Sequence, residues 1–460
     1  MRRTKIVATL GPATQTPERL DALLTAGVDC VRINCSHGTR EEQGARCEAA
    51  RAAAQRAGRP LGVLFDLQGP KLRLSARTEA RMVRPGEAVT FGPDHLTVDF
   101  PGFAALVTGR SEVVLGDGIP RFMVTGIDGD RVHALAATGG AVTARKGVNV
   151  TYARPNLPAL TEKDVADLAF AAEMRADFVA LSFVRSAADV VDLRDRLRAL
   201  GSRARTIAKI EKIEAYEHLD DILAVTDGIM VARGDYGVEA GVARVPLMQK
   251  DAIFRATQWG KFVITATQML ESMIHAPEPT RAEAADVANA VIDGTSAVML
   301  SAETGVGDFP VEAVRAMAEI AHAAEESPVI HGRCRVVDHD TAAASVLHAA
   351  VQLAEDLDVA ALVIPTATGG GARACSKYRP DRPIVALVHD DGVAAQMTLE
   401  WGVRVGMMDV AENVDDLVED ALTCARDVAG IKSGESVVLT AGRRTGTPGA
   451  TSLIMVREVP

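Results

Sequence analysis

Short apolar runs recur along the chain, each closed by charged or small polar residues, with stretches of three- and four-residue apolar spacing between them. Lys5–Leu10, Cys30–Cys35 and Leu61–Leu67 come first, and Phe178–Val184, Thr206–Ile210, Gly228–Ala232, Phe262–Ala266 and Ala297–Leu300 follow later. Runs of this length bounded by breakers read as buried strands. The intervening stretches read as helices. Thr16-Pro17-Glu18 carries a capping hydroxyl, a first-position proline and an early carboxylate, and Thr161-Glu162-Lys163-Asp164 fits a capping box. Val190, Leu193, Leu197 and Leu200 would form one apolar helix face. Strand alternating with helix eight times predicts an α/β protein with a closed (β/α)8 TIM barrel. An open doubly wound sheet is the competing arrangement.

Between Lys71 and Arg154 the texture changes. Turn pairs such as Pro85-Gly86, Gly92-Pro93 and Gly129-Asp130 separate short β-prone pieces, Ala88–Phe91, Glu112–Leu115 and Phe122–Val124, without long helical periodicity. This predicts an inserted small all-β (β-barrel) domain over residues 71–154. The barrel would then comprise residues 1–70 and 155–335. Over 336–460, Val346, Ala350, Leu353 and Leu357 mark an amphipathic helix, followed by strand-like runs Ala361–Ile364, Ile384–Val388 and Ser436–Thr440. These predict a separate, smaller C-terminal α/β domain.

Size and composition narrow the classes. A chain of 460 residues exceeds a single core. Apolar content of 48% with 24% charge is that of a soluble globular protein. The formal net charge of −11 gives nucleic-acid binding no electrostatic support. The six cysteines form no CxxC pair or zinc spacing, which suits a reducing cytoplasm. Met1-Arg2-Arg3 runs directly into a strand, leaving no room for a signal peptide, and no apolar run approaches the roughly 18–20 residues of a membrane span.

The chemistry concentrates in residues 205–235. Two neighbouring strands there end in Lys209 and Glu211, and in Arg233, Gly234 and Asp235. Lys209 and Glu211 share a face because side chains alternate along a strand. One ammonium beside two carboxylates suits Mg²⁺ and a phosphoryl group, with solvated loop charge as the bland alternative. In a barrel, strand ends converge on one mouth. The other ends contribute Arg32, Asn34, Ser36 and His37; Asp66, Lys71 and Arg73; Thr265, Thr267 and Gln268; Ser301 and Glu303. Arg32, Arg73 and Lys209 are cations suited to phosphate, and Thr267 and Ser301 carry hydroxyls able to relay a proton. That inventory fits phosphoryl transfer, without a GxxxxGK[ST] loop.

At these residues the chain resembles the pyruvate kinase family. The similarity runs through Thr9-Leu10-Gly11-Pro12-Ala13, Arg32-Ile33-Asn34-Cys35-Ser36-His37-Gly38 and Asp66-Leu67-Gln68-Gly69-Pro70-Lys71-Leu72-Arg73. It continues through Lys146-Gly147-Val148-Asn149, Ala208-Lys209-Ile210-Glu211, Met230–Asp235, Ala266–Met273, Pro279–Glu283 and Met299–Thr304. The resemblance implies Mg²⁺- or Mn²⁺-dependent transfer of the phosphoryl group of phosphoenolpyruvate to ADP. It implies that Lys209 stabilises that group in flight, that Glu211 and Asp235 hold the divalent metal, and that Arg32 grips the phosphate. Asn34, Ser36, His37 and Arg73 would contact the nucleotide, Gly234, Asp235 and Thr267 would seat the substrate carboxylate, and Thr267 and Ser301 would pass the proton. The family's monovalent-cation positions fall on Asn34, Ser36, Asp66 and Leu67. Pyruvate kinases are usually cytoplasmic homotetramers, which sets that expectation here.

The departures are informative. Relatives that require K⁺ carry Glu where this chain has Lys71, and Thr and Lys where it has Leu67 and Gln68. The combination resembles the K⁺-independent branch, with the Lys71 ammonium standing in for the missing ion. Ser186 replaces a usual basic residue, and Ala302 a usual glycine. In the C-terminal domain, Gly369-Gly370-Gly371-Ala372-Arg373-Ala374 with Asp390 mimics a dinucleotide fingerprint, a weak match on its own. By resemblance this stretch aligns with a loop that cradles a phosphorylated effector, for which Thr366, Thr368, Gly369, Arg443 and Arg444 are the candidates. A different phosphoenolpyruvate or pyruvate barrel enzyme and a catalytically silent, metabolite-sensing homologue are the alternatives; intact Lys209, Glu211, Asp235 and Thr267 argue against the latter.

Overall fold

The computed structural model describes residues 2–116, 118–151, 158–327, 341–442 and 451–460. Eight parallel strands close a barrel: Lys5–Thr9, Cys30–Asn34, Gly62–Asp66, Phe178–Leu181, Arg205–Ile210, Gly228–Ala232, Phe262–Ala266 and Ala297–Leu300. Each pairs with its neighbours in chain order, and the first pairs with the eighth through Lys5 and Ala297. An open sheet is thereby excluded. The predicted runs overshoot the strands at their carboxyl ends, because Leu10, Cys35, Leu67 and Val184 already belong to the turns above the barrel.

A repeated clasp fixes the amino-terminal end of the barrel. The residue just before each even-numbered strand is Asp29, Asp177, Asp227 or Ser296. Its side-chain oxygen accepts from the second residue of the preceding strand: Ile6, Val63, Thr206 and Val263 donate at 2.8, 2.9, 2.8 and 3.2 Å. Its own amide donates back to the same residue's carbonyl at 3.0, 3.0, 3.1 and 2.9 Å. Four strand pairs are thus pinned in register by polar groups that would otherwise be buried without partners.

The helices start where capping chemistry directs. Thr16, Thr39, Thr161 and Thr280 each accept from an amide of the first turn, opening Pro17–Ala26, Arg40–Ala57, Glu162–Glu173 and Arg281–Ile292. One predicted face needs correction. The helix Ala187–Ala199 buries Val190, Leu193 and Leu197, but Leu200 lies past its end and is exposed.

After the third strand the chain leaves through Gly69, whose φ of +69° an L side chain rarely adopts; an added Cβ would lie 2.8 Å from the Phe183 ring. It then builds a six-stranded sheet, ordered 72–73, 147–150, 112–115, 121–128, 131–136 and 88–91, and a two-stranded piece from 81–83 and 140–142. Strand Arg131–Ala136 alternates exposed and buried, placing Val132, Ala134 and Ala136 against Phe91 and Phe122 in a core of their own. A short helix, Phe103–Leu106, was not anticipated.

The C-terminal sheet is ordered Val403–Met407, Ile384–Val388, Ala361–Pro365, Ser436–Gly442, Thr451–Glu458, parallel except for the last strand. The first and last of these escaped the sequence reading. Its first helix, Ala342–Asp356, buries Leu347, Ala350, Val351 and Ala354, so the predicted face of Val346, Ala350, Leu353 and Leu357 is rotated by about one residue; Leu357 is exposed. This domain seats on the base of the barrel. Lys5 Nζ donates to the Val403 carbonyl at 2.6 Å, Arg205 pairs with Glu400, and Trp401 lies between Arg3 and Arg379 at 5.5 and 4.7 Å from ring centroid to guanidinium carbon.

Candidate active site

The carboxyl ends of the barrel strands assemble one charged mouth. Lys209, on the fifth strand, lies 3.2 Å from Asp66 Oδ1 and 3.0 Å from Glu211 Oε1, and donates to Ser182 Oγ at 2.7 Å. The same Asp66 carboxylate takes Arg32 through Nε and Nη2, both at 2.7 Å. Burial alone would lift Asp66, but Lys209 and Arg32 hold it below the ordinary carboxylate range. Burial would likewise strip the Lys209 proton, yet Asp66 and Glu211 raise this ammonium above its ordinary value. Lys209 is therefore a fixed charge and not a base at neutral pH.

Glu211 Oε2 accepts from the Phe183 amide at 2.8 Å. Burial and the neighbouring Asp235 carboxylate push Glu211 upward, against the pull of Lys209. Two carboxylates that repel at adjacent strand ends, on residues already oriented by the protein, form a donor set that suits a hard divalent cation with water and substrate oxygens completing its shell. Among the described residues no group of three or more His, Cys, Asp and Glu side chains is arranged to hold a metal, so such an ion would rest on these two carboxylates.

Asp235 sits in the first turn of helix Arg233–Ala240, directly above the sixth strand. Its Oδ1 is 3.5 Å from Lys71 Nζ, which reaches across from the start of the inserted sheet. The carboxylate that Lys71 meets is Asp235; Asp66 is already flanked by Arg32 and Lys209. The Leu67 carbonyl accepts from Ser182 Oγ at 2.7 Å, and Asn34 Oδ1 accepts from the Ser36 amide at 3.0 Å, shaping the turn that carries His37. Partial burial first, then Arg73, Arg32 and Lys71, lower the His37 pKa and favour a neutral imidazole. Arg73 is half-buried on the inserted sheet and donates to the Arg145 carbonyl at 3.2 Å.

Thr267 follows the seventh strand with φ of +69°, and Gln268 with +55°, a conformation costly for a β-branched residue. Thr267 Oγ1 donates to the Ala266 carbonyl at 2.6 Å and accepts from the Gly234 amide at 2.9 Å. Ser301 follows the eighth strand, and its buried Oγ has no protein hydrogen-bond partner. Glu303 turns to backbone, accepting from the Ser301 amide at 2.7 Å and the Leu270 amide at 3.2 Å. Thr265 is fully buried and bonded to Thr295, so it leaves the predicted set of mouth residues.

Two participants were not singled out from the sequence. Ser182, after the fourth strand, links Lys209 to Leu67, and reading that strand's end as the others were read would have found it. Arg233, noted only as a strand-end charge, donates to the carbonyls of Thr267 and Gln268.

In the C-terminal domain, Thr366 and Thr368 line a cavity of about 260 Å³. Gly369, with φ of +76°, precedes the short helix Gly370–Ser376 and does not line it. Arg443 and Arg444 lie outside the described residues. Asp390 caps the helix Asp391–Gln396 by accepting from the Val393 amide at 2.9 Å, and pairs with Arg203 at 2.9 Å. That carboxylate is committed to structure, which removes the ribose contact a dinucleotide fold requires.

Comparison with known proteins matches residues 1–314 to the family described as pyruvate kinase, barrel domain, and residues 344–457 to pyruvate kinase, alpha/beta domain. The chain is 40% identical over its full length to a pyruvate kinase of Bacillus licheniformis, covering 81% of that protein. It is 39% identical to one of Geobacillus stearothermophilus, covering 80%, and 40% identical to one of Mycobacterium tuberculosis strain H37Rv, covering 98%.

Proposed function

The chain belongs to the pyruvate kinase family, a phosphotransferase family, and from that premise we propose that it transfers the phosphoryl group of phosphoenolpyruvate to ADP through the mouth just described. The observation that carries this reading is Lys209, held protonated between Asp66 and Glu211 at the centre of the mouth. Arg32 and Lys209 bind the phosphate of phosphoenolpyruvate, and Asp66 orients both. As the phosphorus–oxygen bond breaks and the bond to the ADP oxygen forms, the Lys209 ammonium compensates charge on the phosphoryl oxygens. Arg73 and the Asn34–His37 turn receive the nucleotide phosphates. The amides that open helix Arg233–Ala240, with Thr267, seat the substrate carboxylate. The enolate left behind takes a proton at its terminal carbon through water ordered by Thr267 and Ser301. Glu211 and Asp235 would hold Mg²⁺ or Mn²⁺, which would supply Lewis-acid stabilisation of developing negative charge. The inserted sheet, over residues 71–154 with the barrel at 1–70 and 155–335, is the lid that excludes water, and residues 336–460 form the regulatory domain.

Two features support independence from K⁺. Asp66 already has two protein cations, and Lys71 brings a third cation, the second ammonium, to the mouth. The cavity lined by Thr366 and Thr368 supports a phosphorylated effector. No helix among the described residues is long and apolar enough to cross a membrane; we take the enzyme to be a cytoplasmic homotetramer, as is usual for its family. A coupled assay with phosphoenolpyruvate, ADP and Mg²⁺ tests the function. Wild type turns over and Lys209→Met does not; equal rates would end the role given to Lys209. In tetramethylammonium buffer the rate is expected to persist, and a rate that appears only on adding K⁺ would refute the independence.

A further inference from the structure

Thr267 and Gln268 hold a left-handed backbone that a β-branched residue adopts only when its surroundings over-determine it. The side chain that does so is Arg233. It leaves the end of the sixth strand and reaches across to the turn after the seventh. Its Nε and Nη2 donate to the Thr267 carbonyl at 3.1 and 2.6 Å, and Nη2 also donates to the Gln268 carbonyl at 3.0 Å. Nη1 is anchored by Asp286 Oδ2 at 2.5 Å, from helix Arg281–Ile292 behind the turn. The next residue, Gly234, donates its amide to Thr267 Oγ1 at 2.9 Å. One planar guanidinium therefore fixes both consecutive carbonyls of the strained turn, and the adjacent amide fixes the hydroxyl. Gly234 and Asp235, which open the helix, and Thr267, which closes the neighbouring strand, become one rigid unit.

We propose that Arg233 and Asp286 are positioning residues that hold Thr267 Oγ1 in register with the Gly234–Asp235 helix start, and that the proton-transfer half of the reaction depends on them more than the phosphoryl half does. Neither side chain needs to touch substrate. The phosphoryl group is handled by Arg32 and Lys209, on strands that this clamp does not brace. The enolate carbon and carboxylate are handled by the unit that it does. The inference rests on the proton role given to Thr267 above.

The two half-reactions separate experimentally. Exchange of pyruvate methyl hydrogens with solvent deuterium, with Mg²⁺ and inorganic phosphate present, reports the proton step; ATP formation from phosphoenolpyruvate reports phosphoryl transfer. Asp286 is half-buried, so Asp286→Ala is a mild truncation. In Asp286→Ala and Arg233→Lys, exchange is expected to fall about tenfold or more and the KM for phosphoenolpyruvate to rise several-fold. The kcat of ATP formation is expected to change less than threefold, and Asp286→Glu to recover part of the exchange. Unchanged exchange in a variant with wild-type melting temperature would overturn the proposal. So would parallel loss of both half-reactions with a lowered melting temperature, because the clamp would then be merely structural. Thr267→Ala is the control for the premise. If it exchanges at the wild-type rate, the proton role of Thr267 fails, whatever the clamp variants do.

Discussion

Lys209 illustrates how a buried cation is made permanent at the level of single residues. Two carboxylates within 3.2 Å outweigh the cost of burying it, and both are held by other partners, Arg32 on one side and the Phe183 amide on the other. Replacing Lys209 with Gln removes the charge while keeping a donor, and kcat is expected to fall by about a thousandfold in steady-state assays. Gly234 makes a second case. A Cβ there would meet Thr267 Oγ1 at 3.7 Å, ordinary contact, so the protein itself tolerates a side chain. Gly234→Ala is expected to melt within a few degrees of wild type while its KM for phosphoenolpyruvate rises roughly tenfold, about 1.4 kcal/mol of lost binding. The charges at strand ends were readable from the sequence because period-two alternation and barrel geometry place them on one rim. The positive φ of Thr267, the orphan hydroxyl of Ser301 and the partner of Lys71 were not, because each depends on a neighbour distant in sequence.

The barrel strands were found nearly to the residue, since continuous burial leaves an uninterrupted apolar signal that only the turns end. Helix faces were read less well. Leu200 and Leu357 continue an apolar spacing past the last helical turn, where the backbone no longer directs them inward. The clasp before each even strand was present in the sequence as a polar residue ahead of an apolar run, but its meaning emerges only with the strand beside it. One member has a measurable signature. Burial raises the Asp177 carboxyl to about 7, well above the ordinary carboxylate range. A carboxyl that binds its proton more tightly in the folded state than in the unfolded one stabilises the fold most at low pH. That contribution is lost as pH rises from about 4 through about 7, and above this the profile levels off. The loss is on the order of 4 kcal/mol. Urea midpoints measured between these limits should decline with pH in wild type beyond what the other groups impose, and Asp177→Asn should remove that slope.

Across the whole molecule, the barrel and the C-terminal domain meet at a seam of ion pairs and cation–ring contacts around the buried Leu399. The order of barrel, insertion and C-terminal domain was evident from the change in texture at Lys71 and after residue 335. How the C-terminal domain seats was not, because Arg205, Glu400 and Trp401 carry no local signal of mutual contact. The Arg205–Glu400 pair is nearly buried, with side chains 11% and 6% exposed. Glu400→Gln leaves the Arg205 guanidinium with only Asp227, 3.7 Å away, as counter-charge and is expected to cost about 3 kcal/mol. Calorimetry should show the C-terminal domain melting ahead of the barrel in that variant.

The same seam contains its own optical probe. The chain has two tryptophans: Trp259, 47% exposed on the barrel, and Trp401, 5% exposed between two guanidinium groups. In a Trp259→Phe background all indole emission arises where barrel and C-terminal domain meet. Exclusion of water gives that emission a short wavelength, and separation of the domains would shift it red and open it to iodide quenching. Titrating a phosphorylated compound into the C-terminal cavity while watching that single fluorophore would therefore show, without any label, whether a signal bound at one end of the protein crosses toward the catalytic mouth at the other.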